Sequence, residues 1–156
     1  MENLSFSILT ISDTRDESSD ESGAAIAESL DALRPARVIR KIVPDELMEI
    51  SSAIKTMADA SDAVFTTGGT GFSPRDVTPE ATLPLLSRRA QGLEFLLTMR
   101  SLEETPFAAL SRAVCGMRGK CLIVNLPGSP QGARCGMRAL VPLLPHLFDQ
   151  IRGGTH

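Results

Sequence analysis

The sequence predicts an α/β fold: a mostly parallel sheet with helices on both faces. Three observations carry this reading. Short apolar runs alternate with longer stretches of helical spacing, the runs end in Ser-Asp, Pro-Asp or glycine-rich turns, and no repeat, low-complexity tract or linker interrupts the order. The chain of 156 residues is long enough to bury one core and is read as a single domain over residues 1–156.

Each element follows from its residues. An apolar run at residues 6–11, ending at Ser12-Asp13, reads as the first strand, and an acidic, serine-rich loop follows over 13–21. Ala25, Ile26, Ser29, Leu30 and Leu33 share one face of a helix expected over about 22–33. Residues 38–43 form the second expected strand, ended by Pro44-Asp45, and Leu47, Ile50, Ile54 and Met57 give helical spacing over 46–60. The third strand, 62–67, runs directly into Gly68-Gly69-Thr70-Gly71. Thr78-Pro79-Glu80 has the order of an N-cap, a first-turn proline and an acid at the positive end of the helix dipole. A further helix is expected over 93–102. Two strands near 112–117 and 120–125 are expected to join through Arg118-Gly119 as a hairpin. A C-terminal helix follows Leu126-Pro127-Gly128-Ser129-Pro130, with Pro142 and Pro145 expected to interrupt or kink it.

Composition excludes several function classes. Hydrophobic residues make up 42% and charged residues 22%, as in ordinary globular chains and unlike disordered ones. A net charge of −3 argues against a broad nucleic-acid surface, and the lack of Trp and Tyr removes the usual stacking platform for single strands. A local basic cluster near Arg75, Arg88 and Arg89 remains open. No run reaches membrane-span length and no leader is evident, so a cytoplasmic protein is the expectation. Cys115, Cys121 and Cys135 lack metal spacing and read as packing thiols. His146 and His156 are the only imidazoles, and Ser12 and Ser111 lack an evident base, so covalent catalysis is not expected.

The chemistry concentrates at 66–80. Glycines at 68, 69 and 71 let backbone amides approach a ligand, the threonine hydroxyls add donors, and a helix start lies downstream: together an anion cradle suited to phosphate. Spacing alone leaves open a tight strand-to-helix turn with no ligand. No GxxxxGK[ST] occurs, and Pro74 stands where GxGxxG needs its third glycine, so the two common nucleotide loops are absent. Asp13, Asp45 and Asp76 fall in loops after strands, where open α/β sheets place ligands. Converging beside a phosphate they would recruit magnesium; singly, each is a loop cap. The stretch Asp16, Glu17, Asp20, Glu21 reads as a solvated face or a helix start. Pro127-Gly128-Ser129-Pro130 fits a second close-approach turn and an ordinary Ser N-cap equally.

In combination, Thr67-Gly68-Gly69-Thr70-Gly71 with the run from Pro74 to Thr82, Thr105-Pro106-Phe107-Ala108 with Leu110-Ser111-Arg112, and Leu126-Pro127-Gly128-Ser129-Pro130 resemble the molybdopterin adenylyltransferase family, the MoaB and Mog-type proteins and the gephyrin G domains. The resemblance runs from Leu9 to Ile151. It implies a homotrimer of α/β subunits that takes Mg²⁺, ATP and molybdopterin, transfers the adenylyl group to the pterin's terminal phosphate and releases pyrophosphate. It implies catalytic and metal-binding roles for Asp45 and Asp76. It implies substrate contacts from Ser12, Asp13, Thr67, Gly68, Gly69, Thr70, Gly71, Ser111, Asn125, Pro127, Gly128 and Ser129, with the glycine turn holding the pterin's phosphate end. It also implies other molybdenum-cofactor biosynthesis enzymes as partners. Some MoaB-type relatives have lost or changed activity, so a carrier that holds pterin without chemistry, and a structural oligomer, are the competing readings.

Overall fold

Residues 5–11 alternate so that Phe6 and Ile8 face one way while Leu9 and Ile11 face the other, all of them buried. That two-sided alternation marks a strand covered on both faces. The computed structural model describes residues 3–154. In chain order it comprises β1 (Ser5–Ile11), α1 (Glu21–Leu30), β2 (Arg37–Val43), α2 (Leu47–Asp59), β3 (Ala63–Thr67), α3 (Thr78–Thr82), β4 (Arg88–Arg89), α4 (Gln91–Leu102), β5 (Cys115–Arg118), β6 (Cys121–Leu126), α5 (Pro130–Leu140) and α6 (Leu144–Ile151). Short 3-10 segments occupy Asp31–Leu33, Leu83–Leu85, Pro106–Leu110 and Val141–Leu143.

The strands form one six-stranded sheet in the order β2-β1-β3-β6-β5-β4. β2, β1, β3 and β6 run parallel; β5 is antiparallel to both β6 and β4. The mostly parallel α/β expectation holds. One core packs Phe6, Ile8, Phe65, Leu122, Val124 and Leu126 against Ile26 and Leu30 of α1, Leu97 of α4, Met137 and Leu140 of α5, and Phe148 of α6. Phe6 sits at the centre, 6.0 Å from the Phe65 ring and 5.9 Å from the Phe148 ring. The other face buries Leu9, Ile11, Val64 and Ile123 under Ile50, Ile54 and Met57 of α2, with Ala81 and Leu85 beyond. Each large side chain buried in this way contributes roughly 1.5–3 kcal/mol. Cys115, Cys121 and Cys135 are free and buried, as expected of packing thiols, and burial pushes the Cys115 and Cys121 thiols up to about 12.

Several boundaries differ from the sequence reading. The strand expected from 112 starts at Cys115, because the Arg112 amide donates to the Thr70 carbonyl (2.8 Å) and the Val114 amide to Asn125 Oδ1 (3.2 Å). The hairpin turns at Gly119-Lys120, with Gly119 at φ +58° and Arg118 paired with Cys121. Thr78 does not cap α3: its hydroxyl is buried and donates to the Gly68 carbonyl at 2.9 Å. Leu47, at the first residue of α2, is 42% exposed despite its helical spacing. Asp20 leaves the acidic stretch for the interior, 3% exposed, where it caps α1 through Gly23 and accepts from Thr10 and Arg40. The basic cluster left open by the sequence does not form from Arg75 and Arg89, which go to separate carboxylates, Arg75 to Asp13 and Arg89 to Glu94. Pro142 and Pro145 break the C-terminal helix into α5, a 3-10 turn and α6, as expected. Among the described residues no helix is long and apolar enough to cross a membrane. His156 lies outside the described residues.

Candidate active site at the carboxyl edge of the sheet

Because β1, β2, β3 and β6 are parallel, the loops after all four open at one edge. The chain steps from β1 to β2 on one side, then crosses back past β1 to β3 on the other, and ligands collect at such a switch. β3 ends in the glycine turn, where Gly68 and Gly69 take φ +100° and +67°. Only glycine fits here: a Cβ at Gly68 would stand 2.4 Å from the Ile11 carbonyl oxygen, and one at Gly69 would stand 2.3 Å from the Thr78 hydroxyl. The turn after β6 locks against it. Thr67 Oγ1 donates to the Pro127 carbonyl at 2.6 Å, and a Cβ on Gly128 would lie 3.2 Å from the Gly68 Cα. Ser22 Oγ (2.6 Å) and Arg15 Nη1 (3.2 Å) both donate to the Gly128 carbonyl.

An open cleft of about 500 Å³ lies over these turns, lined by Ser12, Asp13, Thr14, Arg15, Asp45, Thr67, Gly68, Gly69, Asp76, Gly128 and Ser129. Asp13 accepts two hydrogen bonds from the Arg75 guanidinium (2.9 and 3.0 Å) and one from the Asp45 amide (3.0 Å). Those donors, Arg75 foremost, hold its carboxyl below the usual range. Asp45 is half-buried and shifts the opposite way: burial raises it first, then the charges of Asp13 and Asp76. Asp76 Oδ2 accepts from the Ser73 amide at 3.1 Å and packs against Gly71. The three aspartates expected to converge share this cleft, yet among the described residues no three His, Cys, Asp or Glu side chains are grouped to hold a metal ion. Arg75 pairs with Asp13 here, while Asp45 and Asp76 line the same cleft.

A second cleft, about 480 Å³, adjoins the first at Ser129 and is lined by Thr70, Gly71, Ser101, Glu104, Thr105, Phe107, Ser111, Pro127, Gln131 and Gly132 among others. Ser129 caps α5 by accepting from the Gly132 amide at 3.0 Å, so it is both an N-cap and a wall of the two clefts. The amino end of an eleven-residue helix thus stands at their boundary, where it favours negative charge.

A family model described as a probable molybdopterin binding domain matches residues 7–146. The chain belongs to this family. It is 41% identical over 156 residues to the molybdenum cofactor synthesis protein cinnamon of Drosophila melanogaster, covering 97% of this chain but only 26% of that protein. It is 39% identical to a molybdopterin adenylyltransferase of Helicobacter pylori over 98% of this chain and 90% of that one. Its fold matches the molybdopterin biosynthesis Mog protein from Mycobacterium ulcerans with a TM-score of 0.89 and 40% identity, over 97% and 98% of the two chains.

The expected site residues separate by the cleft that they line. Ser12, Asp13, Asp45, Thr67, Gly68, Gly69, Asp76, Gly128 and Ser129 line the acidic cleft, while Thr70, Gly71, Ser111 and Pro127 line its neighbour. Asn125 faces neither. It is 1% exposed, and its amide donates to Thr66 Oγ1 (3.0 Å) and Thr82 Oγ1 (3.1 Å) while accepting from Val114, so it ties β3, α3 and the β5 approach together. Thr67 likewise spends its hydroxyl on Pro127. Sequence reasoning missed Arg15, the lone Lys or Arg among the residues lining the acidic cleft. It is aimed by a turn in which Ser12 Oγ accepts from the Thr14 and Arg15 amides at 3.2 and 3.1 Å, and its neighbours in an acidic loop hid it.

Proposed function

We propose that this chain is a nucleotidyltransferase of molybdenum cofactor biosynthesis that adenylylates molybdopterin with Mg-ATP. The observation that carries the reading is the pair of clefts meeting at Ser129, one bearing Asp45 and Asp76, the other bearing Thr70, Gly71 and Ser111. Two anionic substrates held on either side of one helix amino end can bring a nucleophilic phosphate and an α-phosphorus together. The shared family and the adenylyltransferase name of the Helicobacter relative support it as well.

The chain's own groups would act by placement. The glycine turn spans both clefts and presents amides to the pterin's terminal phosphate. That phosphate oxygen attacks the α-phosphorus of ATP, forming one P–O bond as the bond to the pyrophosphate oxygen breaks. Asp45 and Asp76 fit a divalent cation: burial first, then the charges of Asp13 and Asp76, raise the affinity of Asp45 for its proton, and a bound dication would offset those costs of its ionised form. Asp45 and Asp76 would hold Mg²⁺, which would supply charge neutralisation on the nucleotide. Arg15, fixed against Gly128, would offer positive charge to the departing pyrophosphate. No proton relay through histidine or covalent enzyme intermediate is needed.

The expected assembly is a homotrimer in the cytoplasm, within reach of other molybdenum-cofactor enzymes. Phe95, Met99 and Leu102 support self-association, since they form an apolar stripe on α4 at 67, 48 and 44% exposure. Light scattering that returns the 16.7 kDa of one chain would contradict it. For the chemistry, Asp76→Asn and Asp45→Ala should each lower turnover at least ~100-fold while calorimetry still detects molybdopterin binding. Near-normal turnover in both would remove their assigned roles.

A further inference from the structure

We propose that Arg112 is a positioning residue that couples the two clefts by fixing Gly71 and Asp76 with one guanidinium. The inference rests on the two-substrate reading above. Arg112 Nε donates to the Gly71 carbonyl at 2.7 Å, Nη2 donates to the Asp76 carbonyl at 2.9 Å, and Nη1 pairs with the Glu80 carboxylate. Its own amide donates to the Thr70 carbonyl at 2.8 Å, and its guanidinium lies 5.5 Å from the centre of the Phe72 ring. The planar fork thus reaches both ends of the loop that carries Arg75 and Asp76, while the preceding residue, Ser111, lines the second cleft.

The consequence is geometric. Gly71 and Ser111 lie on the wall of the second cleft; Asp76 lies on the wall of the acidic one. Among the described residues, no other cation bonds both Gly71 and Asp76. Glu80, at the amino end of α3, holds the outer nitrogen, and this contact in turn keeps the Glu80 carboxyl below its usual range. A lysine at 112 would keep the charge but could not span two carbonyls and a carboxylate at fixed angles. Arg112 touches neither reacting group; it sets the distance between the residues that do. A misplacement of about 1 Å between aligned reactants is enough to cost on the order of 100-fold in rate.

The test is steady-state adenylylation with Arg112→Ala, Arg112→Lys and Glu80→Gln, each compared with the unmodified chain. The expected result for both Arg112 variants is a kcat about 10–100-fold lower, with the KM for ATP and for molybdopterin changed less than ~3-fold. Glu80→Gln keeps both carbonyl contacts and should stay within ~3-fold of the parent kcat. Methylguanidinium at tens of millimolar should restore part of the activity of Arg112→Ala, which a general loss of fold would not allow. Should Arg112→Ala fail to fold, Arg112→Lys carries the same kcat and KM comparison. The inference is overturned if Arg112 variants turn over normally, if KM rises while kcat holds, or if Glu80→Gln is as impaired as Arg112→Lys. An unmodified chain that makes no adenylyl product overturns the transfer reading and this inference together; normal turnover in an Arg112 variant beside an active parent overturns this inference alone.

Discussion

Asn125 spends its side chain on internal hydrogen bonds. Its amide satisfies Thr66, Thr82 and the Val114 amide, three partners on three separate segments. Asn125→Ala would strand these buried groups, at a cost of roughly 2–4 kcal/mol. Chemical denaturation should therefore show a lower midpoint with an unchanged slope; a loss below ~0.5 kcal/mol would mean that the network carries little stability. The family resemblance implies a ligand contact at Asn125, and nothing in the local spacing shows where its side chain goes. Which way a strand residue faces is decided by pleat and neighbours, and those are known only once β6 is placed between β3 and β5. Asp20 was hidden for a related reason. It reads as one of several acids in a polar loop, and only the fold sets Thr10 and Arg40 against it.

At the scale of the element, the glycine turn was the most legible feature and the segments around it the least. Positive φ at Gly68 and Gly69 is what glycine in that place foretells. A two-residue edge strand made of Arg88 and Arg89 has no apolar run to announce it, and the 3-10 segment Pro106–Leu110 is too short to show a period. The start of β5 is displaced because Arg112 belongs to the turn rather than to the sheet, a long-range contact that no local pattern contains. The turn itself makes a sharp prediction. Gly68→Ala must place a methyl 2.4 Å from the Ile11 oxygen at φ +100°, so the backbone has to move. The expected cost is about 1–3 kcal/mol, with a larger loss in turnover because Gly128 rests on Gly68. Thermal unfolding alongside an activity assay checks both, and full activity in this variant would show that the turn need not keep its shape.

On the scale of the whole molecule, the parallel order of β2, β1, β3 and β6 gathers four loops at one edge, and the sheet's helices leave that edge open. The sequence reading anticipated this from alternating segments and strand-end aspartates. It did not anticipate that the edge divides into two clefts, because that division depends on Gly128 meeting Gly68 and on α5 starting between them. Nor could spacing tell that Arg75 would pair with Asp13. The division is what makes a two-substrate transfer the best account of the molecule, since a simple carrier needs one cleft and gains little from carboxylates beside an anion.

The most direct measurement follows both products when the chain is mixed with ATP, Mg²⁺ and molybdopterin. The account predicts one pyrophosphate released per pterin, a pterin mass increased by one adenylyl group, and loss of both signals on chelation of the metal. Molybdopterin that binds yet keeps its mass, with no pyrophosphate formed in the presence of Mg-ATP, would contradict it.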